Sequence, residues 1–405
     1  MRVSPTRLAI AGAVAVIIIV GSVGGFALAR SHGSSGSTAT NAPPSPVGAS
    51  PTPTSPASSS SPTASTPQGP PVTDARGVYI HYYLFWSAQH WRDRLGANYP
   101  TNASPPPLPG AMDGSGCNPS VNYSGAQIVD VPSEGLYDQD QGAGFDTHIA
   151  AAVKAGISGF LVSWIGTGTT GQAPEQFGYN QRLDLLVQRV DAYNAAHQSH
   201  FRLGLAFASF GDYSRPADQI INDLDYFRSR YAADPAFADA YSSKPLVMWL
   251  DSRKYVVDTV RQVSAAEQPH LYLVGDETSA SWPRDAAYLD ASSYYWSSEN
   301  PATNSRAQRE VDALGSEVRG AGKRWFAPFI AGYNRQLSGG SCVPRNGLST
   351  LRSIWSTNLT SRPDGWFGIS WNEFVENTYL QPSVAYGTTY LDEVARLVKA
   401  WRAGA

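Results

Sequence analysis

Two glutamates three positions apart, Glu373 and Glu376, lie in the stretch Ile369-Ser370-Trp371-Asn372-Glu373-Phe374-Val375-Glu376-Asn377-Thr378-Tyr379. An apolar run stops there and polar residues begin, so both carboxylates can face one space. Cleaving a glycosidic bond needs an acid to protonate the leaving oxygen and a second carboxylate to act as base, nucleophile or charge stabiliser. Two close carboxylates among aromatics have their pKa values pushed apart, which keeps one protonated near neutrality. The competing reading is a pair of solvated glutamates on a surface loop.

Aromatic and polar residues close several other apolar runs. Trp86, Trp164, Trp296 and Trp371 stand at such ends, with Tyr82, Tyr83, Tyr295, Tyr333 and Tyr379 beside them. Their rings can stack on the apolar faces of an extended saccharide, although aromatics also serve as core fillers. Asp251, Asp276-Glu277, Asn334 and Asn372 sit at comparable ends and can bond hydroxyls. The expected substrate-binding set is therefore Tyr82, Tyr83, Trp86, Trp164, Asp251, Tyr295, Trp296, Tyr333, Asn334, Trp371, Asn372 and Tyr379. His90, near the first strand end, is a candidate contact or a structural histidine.

Other chemistries have little support. The seven histidines show no zinc-binding spacing, and the acids no EF-hand spacing, so no metal is expected. There is no Gly-x-Ser-x-Gly and no Gly-rich phosphate loop, which disfavours an esterase or a nucleotide enzyme. No cofactor is called for.

The elements that position these residues alternate short apolar runs with amphipathic segments from Gly77 onward. Strands are expected at Val78–Trp86, Ile157–Trp164, Phe201–Phe210, Pro245–Asp251, Leu271–Gly275, Ala291–Trp296, Trp325–Ala331 and Gly365–Trp371. Helical spacing follows, as in Leu183, Leu186, Val187 and Val190, and a closing helix carries Leu391, Val394, Leu397, Val398 and Trp401. Nearly sixty residues separate the first strand from a helix over Asp146 to Ala155, which stops at Gly156. Eight such units in one body predict an α/β fold, the (β/α)8 TIM barrel, whose chemistry sits at the carboxyl ends of its strands. No fixed-period repeat suggests a solenoid.

Three stretches carry a resemblance: Tyr82-Tyr83-Leu84-Phe85-Trp86, Ala155-Gly156-Ile157-Ser158-Gly159-Phe160-Leu161-Val162-Ser163-Trp164, and Trp371 to Pro382. Together they resemble glycoside hydrolase family 99, the endo-α-1,2-mannosidases and mannanases. The resemblance implies a (β/α)8 barrel and a retaining reaction. Glu373 would be the base that deprotonates the substrate's 2-hydroxyl to give a 1,2-anhydro sugar. Glu376 would protonate the leaving oxygen and then activate water. Phe374, Val375 and Asn377 depart from the family's Trp, His and Gly. The last stretch is also similar to family 71, the endo-α-1,3-glucanases, whose first acid is an aspartate. The functional expectation is an exported endo-α-glycosidase acting on an α-linked polysaccharide, foremost α-mannan. The alternatives are an endo-α-1,3-glucanase and a non-catalytic polysaccharide-binding barrel.

The rest of the chain concerns placement. Arg2 and Arg7 precede an apolar run, Leu8 to Ala29, long enough to span a bilayer and ending in a plausible signal-peptidase site. Residues 1–30 read as a signal-anchor or signal peptide. Residues 31–76, rich in Ser, Thr, Pro, Gly and Ala, read as a disordered linker, and 77–405 as the barrel. The body is expected outside the cytoplasm, anchored to the membrane or secreted, and monomeric. Four of the 30 basic residues and one of the 33 acidic ones fall in 1–76, which leaves the body at about −6 and argues against a nucleic-acid partner. Cys117 and Cys342, the only cysteines, are expected to pair in an oxidising compartment. They fall in the loops after strands one and seven, either side of the glutamate strand, where a bridge would clamp the rim of the cleft.

Overall fold

The structure is a computed structural model. It describes residues 76–104, 106–167, 175–210, 214–237, 242–296 and 299–404, with the backbone alone at 175–177. Eight parallel strands close into a barrel. They are β1 Val78–Tyr82, β2 Gly159–Trp164, β3 Arg202–Ala208, β4 Leu246–Leu250, β5 Tyr272–Asp276, β6 Ala291–Ser293, β7 Arg324–Ile330 and β8 Gly365–Ile369. Each pairs with its neighbours in sequence. β8 closes onto β1 with Val78 opposite Trp366 and Ile80 opposite Gly368. The helices are α1 Ala88–Leu95, α2 Phe145–Lys154, α3 Glu175–His197, α4 Ala217–Tyr231, α5 Val257–Glu267, α6 Trp282–Asp285, α7 Ala307–Gly320, α8 Ser349–Leu359 and α9 Thr389–Arg402.

Apolar residues fill both layers of this frame. Leu203, Leu205, Val247, Leu273 and Ile330 are fully buried in the strands, and Leu183, Leu186, Val190, Val260 and Val318 face them from the helices. Trp366 of β8 stacks on Trp355 of α8 at 3.9 Å between ring centres, and Trp401 of α9 meets it edge-on. Gly368 is required by this packing, because a Cβ there would lie 2.4 Å from Ile80 and 2.6 Å from Phe329.

The strands occur in the expected order; β2 ends at Trp164 as expected and β5 runs one residue past Gly275, while the other six stop short of their expected carboxyl ends. β1 stops at Tyr82 and β8 at Ile369, so Leu84, Trp86 and Trp371 belong to loops. These loop residues are apolar because they are buried beneath other loops, where burial selects the same residue types as a strand. The long connection after β1 is not without structure, since it contains α1 and a small antiparallel pairing of Gly110–Ala111 with Ser120–Val121. A second pairing, Tyr333–Asn334 with Cys342–Val343, follows β7. The Cys117–Cys342 disulfide joins these two loops.

No helix among the described residues is long and apolar enough to cross a membrane. The expected export segment and all but the last residue of the linker lie outside the described residues.

Candidate active site

The loop from Ser370 to Gln381 carries both glutamates, and its backbone is held on every side. Trp371 N–H donates to the His81 carbonyl at 2.7 Å, extending the β1–β8 pairing past the strand end. Asn372 continues it with its side chain, accepting from Tyr83 N–H at 2.8 Å and donating to the Tyr83 carbonyl at 2.9 Å. Trp86 Nε1 donates to the Asn372 carbonyl at 2.7 Å. Ser370 and Thr378 close the loop on itself through their hydroxyls, 2.8 Å apart. Asn334 N–H reaches the Glu376 carbonyl at 2.7 Å. Asn377 has φ 53°, a left-handed conformation that asparagine tolerates better than most residues.

The carboxylates differ in what they receive. Both are buried, at 2% and 7% exposure for Glu373 and Glu376. Glu373 Oε1 accepts from Val375 N–H at 2.8 Å and Glu376 N–H at 3.3 Å. The Glu376 carboxylate accepts no hydrogen bond from the described residues, and its nearest cation is Arg335 Nη1 at 3.9 Å. Burial raises Glu373 to about 7, against the pull of those two amides and of Arg94 and Arg335. Burial and then the charge of Glu373 raise Glu376 to about 8, opposed by Arg335 alone. Glu376 is therefore the group that keeps a proton near neutrality, and Glu373 the one that gives it up first.

Around the pair stand Tyr83, Tyr295 and Tyr333, with His81 behind Tyr295 and His90 against Trp86. Tyr83 and Tyr295 share a hydroxyl–hydroxyl hydrogen bond of 2.9 Å. Burial pushes both far above the ordinary tyrosine value, and both glutamates add to the shift. Burial raises Tyr333 to about 12, and Glu376 adds to it. His81 packs edge-on against Tyr295. Burial lowers His81 and His90 to about 3, with Arg94 and Arg182 adding to the effect at His90, so both rings are neutral.

The expected binding residues divide in two. Tyr83, Tyr295 and Tyr333 gather around the glutamates, while Asn334 and Asn372 hold their loop. Tyr82, Trp86, Trp164, Trp371 and Tyr379 are at most 1% exposed, which leaves no ring face open to a sugar. Tyr82 stacks on Phe160, Trp86 on Trp91 and Tyr379 on Phe374. Trp164 Nε1 bonds Asn180 at 2.9 Å. Trp296 borders a separate cavity of about 340 Å³ with Tyr294, Glu310 and Leu314. Asp251 is occupied by Arg253 and Lys254, each at 2.9 Å, and its N–H bonds Asp276, so it braces the ends of β4 and β5.

Four features lie beyond the expectations from sequence. Arg94 and Arg335 act on Glu373 from the loops after β1 and β7. Arg345 Nη2 donates to the Asn377 and Tyr379 carbonyls, both at 2.9 Å, beneath the glutamate loop. Beside that loop, Tyr82 Oη meets His148 Nδ1 at 2.7 Å, and Gln381 Nε2 donates to Glu134 at 2.7 Å. Arg335 directly follows the flagged Tyr333-Asn334 and could have been found by extending that motif. No group of three or more His, Cys, Asp or Glu among the described residues could hold a metal ion.

No protein-family model matches the chain. No curated protein matches it either. Among solved structures the chain is similar to the glycoside hydrolase family 99 endo-α-mannosidase from Bacteroides thetaiotaomicron. The TM-score is 0.60 at 17% identity, over 82% of this chain and 98% of that one. The same enzyme in complex with bis-tris propane gives the same values. The fold is thus family 99-like.

Proposed function

We propose that the chain is a retaining endo-α-glycosidase acting on an α-linked polysaccharide, foremost α-mannan. One observation carries the reading: two buried carboxylates on one loop, of which Glu376 accepts no hydrogen bond from the described residues and is raised by burial and by Glu373, while Glu373 accepts two amides that favour its anion. That asymmetry supplies an acid for the leaving oxygen and a base for the substrate's 2-hydroxyl. After departure of the leaving group, Glu376 is the carboxylate that activates water. Tyr83, Tyr295 and Tyr333 are the sugar contacts in this reading. The family 99-like fold supports it, because the mannosidase it resembles is a glycosidase by name.

The test is hydrolysis of α-1,2-mannan and α-1,3-glucan by residues 77–405, with the product anomer read by NMR. Glu373→Gln and Glu376→Gln should each abolish release of oligosaccharides, with retained anomeric configuration in the wild type. Binding of an α-glycan with no turnover in the wild type would instead mark a binding barrel. Export through Leu8 to Ala29 and a monomeric state belong to the same proposal. The Cys117–Cys342 bridge favours an oxidising compartment.

A further inference from the structure

β8 lies between β1 and β7 in the barrel, so the loops after β1 and β7 flank the glutamates. Each brings one guanidinium. Arg94 comes from α1, where Nη1 bonds the Gln127 side chain and Nε meets His90 Nε2 at 3.4 Å. Arg335 comes from the hairpin after β7. Its N–H donates to the Ser341 carbonyl at 3.1 Å, Gln336 beside it accepts from Asn118 N–H at 2.9 Å, and the Cys117–Cys342 bridge ties the hairpin down. The fold therefore fixes the backbone from which the Arg335 side chain extends.

Neither arginine has all of its nitrogens paired by the described residues. Nε and Nη1 of Arg335 are buried with no hydrogen-bond partner among the described residues, and Glu376 is 3.9 Å from Nη1. Arg94 Nη2 makes no hydrogen bond to the described residues and is not among the buried atoms, while Tyr333 hydrogen-bonds the Arg335 side chain. Arg182, the third guanidinium in this region, is neutralised by Asp140 at 2.7 Å. Asp93 also acts on Arg94, but it is exposed, where water screens it, and accepts from Gln89 at 2.7 Å.

The charges around the reacting bond do not balance for a neutral sugar. With Glu376 protonated as the acid, Glu373 is the single negative charge between two guanidinium groups. A surplus positive charge in a largely buried site is costly unless a ligand meets it. We propose, resting on the glycosidase reading, that the substrate is an anionic α-glycan, whose carboxylate or phosphate ester is received by the unpaired guanidinium nitrogens of Arg335 and Arg94. Guanidinium recognition of either group is strong and directional, and a carboxylate and a phosphate share the chemistry that these donors read.

The experiment compares binding of methyl α-mannopyranoside, its 6-phosphate and its uronate to residues 77–405 by calorimetry at low ionic strength. At least one anionic ligand should bind about tenfold more tightly than the neutral sugar, and the arm that does so identifies phosphate or carboxylate. Arg335→Gln should remove most of that preference and Arg335→Lys should restore part of it. Equal binding of all three sugars overturns the proposal, as does a variant that weakens neutral and anionic ligands alike. Should Arg335→Gln fail to fold, the wild-type comparison still decides. Efficient hydrolysis of neutral mannan with no anionic preference would refute this proposal and leave the glycosidase reading intact. An anionic preference without any hydrolysis would do the reverse.

Discussion

Replacing Glu376 by Gln should make the protein less sensitive to alkaline pH while destroying its activity. The carboxyl sits at about 8 in the fold, against an ordinary 4.5, because burial and Glu373 oppose its ionisation. Between those values the folded state binds a proton that the unfolded state has released, so wild-type stability falls as pH rises through this window. The penalty is nearly absent below the ordinary value and complete above the raised one. At about 1.4 kcal/mol per pH unit, raising pH from about 5 to about 8 costs the wild type on the order of 3 kcal/mol at this residue. Glutamine cannot ionise and escapes that cost. The substitution also leaves Arg335 without its carboxylate, so the slope against pH, rather than the absolute offset, reports the effect. Thermal melts should show Glu376→Gln gaining on the wild type by about 5 °C over this range, at about 2 °C per kcal/mol for a domain of this size. A difference in Tm that stays constant would refute the claim that Glu376 is held protonated.

Arg345→Met should lower stability by about 2–5 kcal/mol, because the Asn377 and Tyr379 carbonyls lose a buried donor, and kcat should fall as the glutamate loop loosens. Melting curves and initial rates check both. Reduction of Cys117–Cys342, or the double serine variant, should cost about 5.5 kcal/mol by chain entropy, since the bridge spans 225 residues of sequence, and should weaken substrate binding through the Arg335 hairpin. Calorimetry with and without reductant decides. Trp86→Leu should act mainly on stability, by about 3 kcal/mol, because the indole stacks on Trp91 and bonds Asn372. Tyr83→Phe should act mainly on turnover, by about tenfold, with little change in Tm.

Periodicity made the barrel legible, because parallel strands buried on both faces read as apolar runs and each helix shows a single apolar stripe. It overran the ends of β1 and β8 for a physical reason. Trp86 and Trp371 are buried as thoroughly as any strand residue, so hydrophobicity carries no mark of where pairing stops. Two carboxylates in an otherwise uncharged aromatic stretch drew attention to Glu373 and Glu376. The aromatic strand ends misled in part, since a ring that supports the site and a ring that touches sugar have the same sequence signature. Asp251 failed likewise, because a carboxylate at a strand end looks the same whether it meets a hydroxyl or the arginine two positions on. Arg94 and Arg345 were invisible as partners, and Arg335 was marked only by its place after Tyr333-Asn334. Their contacts are made across distant loops, and an arginine in a polar loop reads as solvated charge.

The supporting contacts share a target. Trp86, Asn334, Arg345 and Ser370 all bond the backbone of the glutamate loop, Asn372 ties the loop to the Tyr83 backbone, and none of them bonds a glutamate carboxylate. Rigid positioning and proton affinity are thereby set separately. Donors placed on the Glu376 carboxylate would hold it more firmly, but each would stabilise the anion and lower its pKa, ending its use as an acid. Anchoring main chain instead fixes the carboxylate in space while leaving its oxygens unmatched. Glu373 receives the two amides of its own loop and is drawn toward the anion, which in turn raises Glu376 through the charge it carries. One turn of chain thus gives two identical side chains different proton affinities, the asymmetry that the proposed acid and base require, and the loops after β1 and β7 contribute positive charge beside the buried pair.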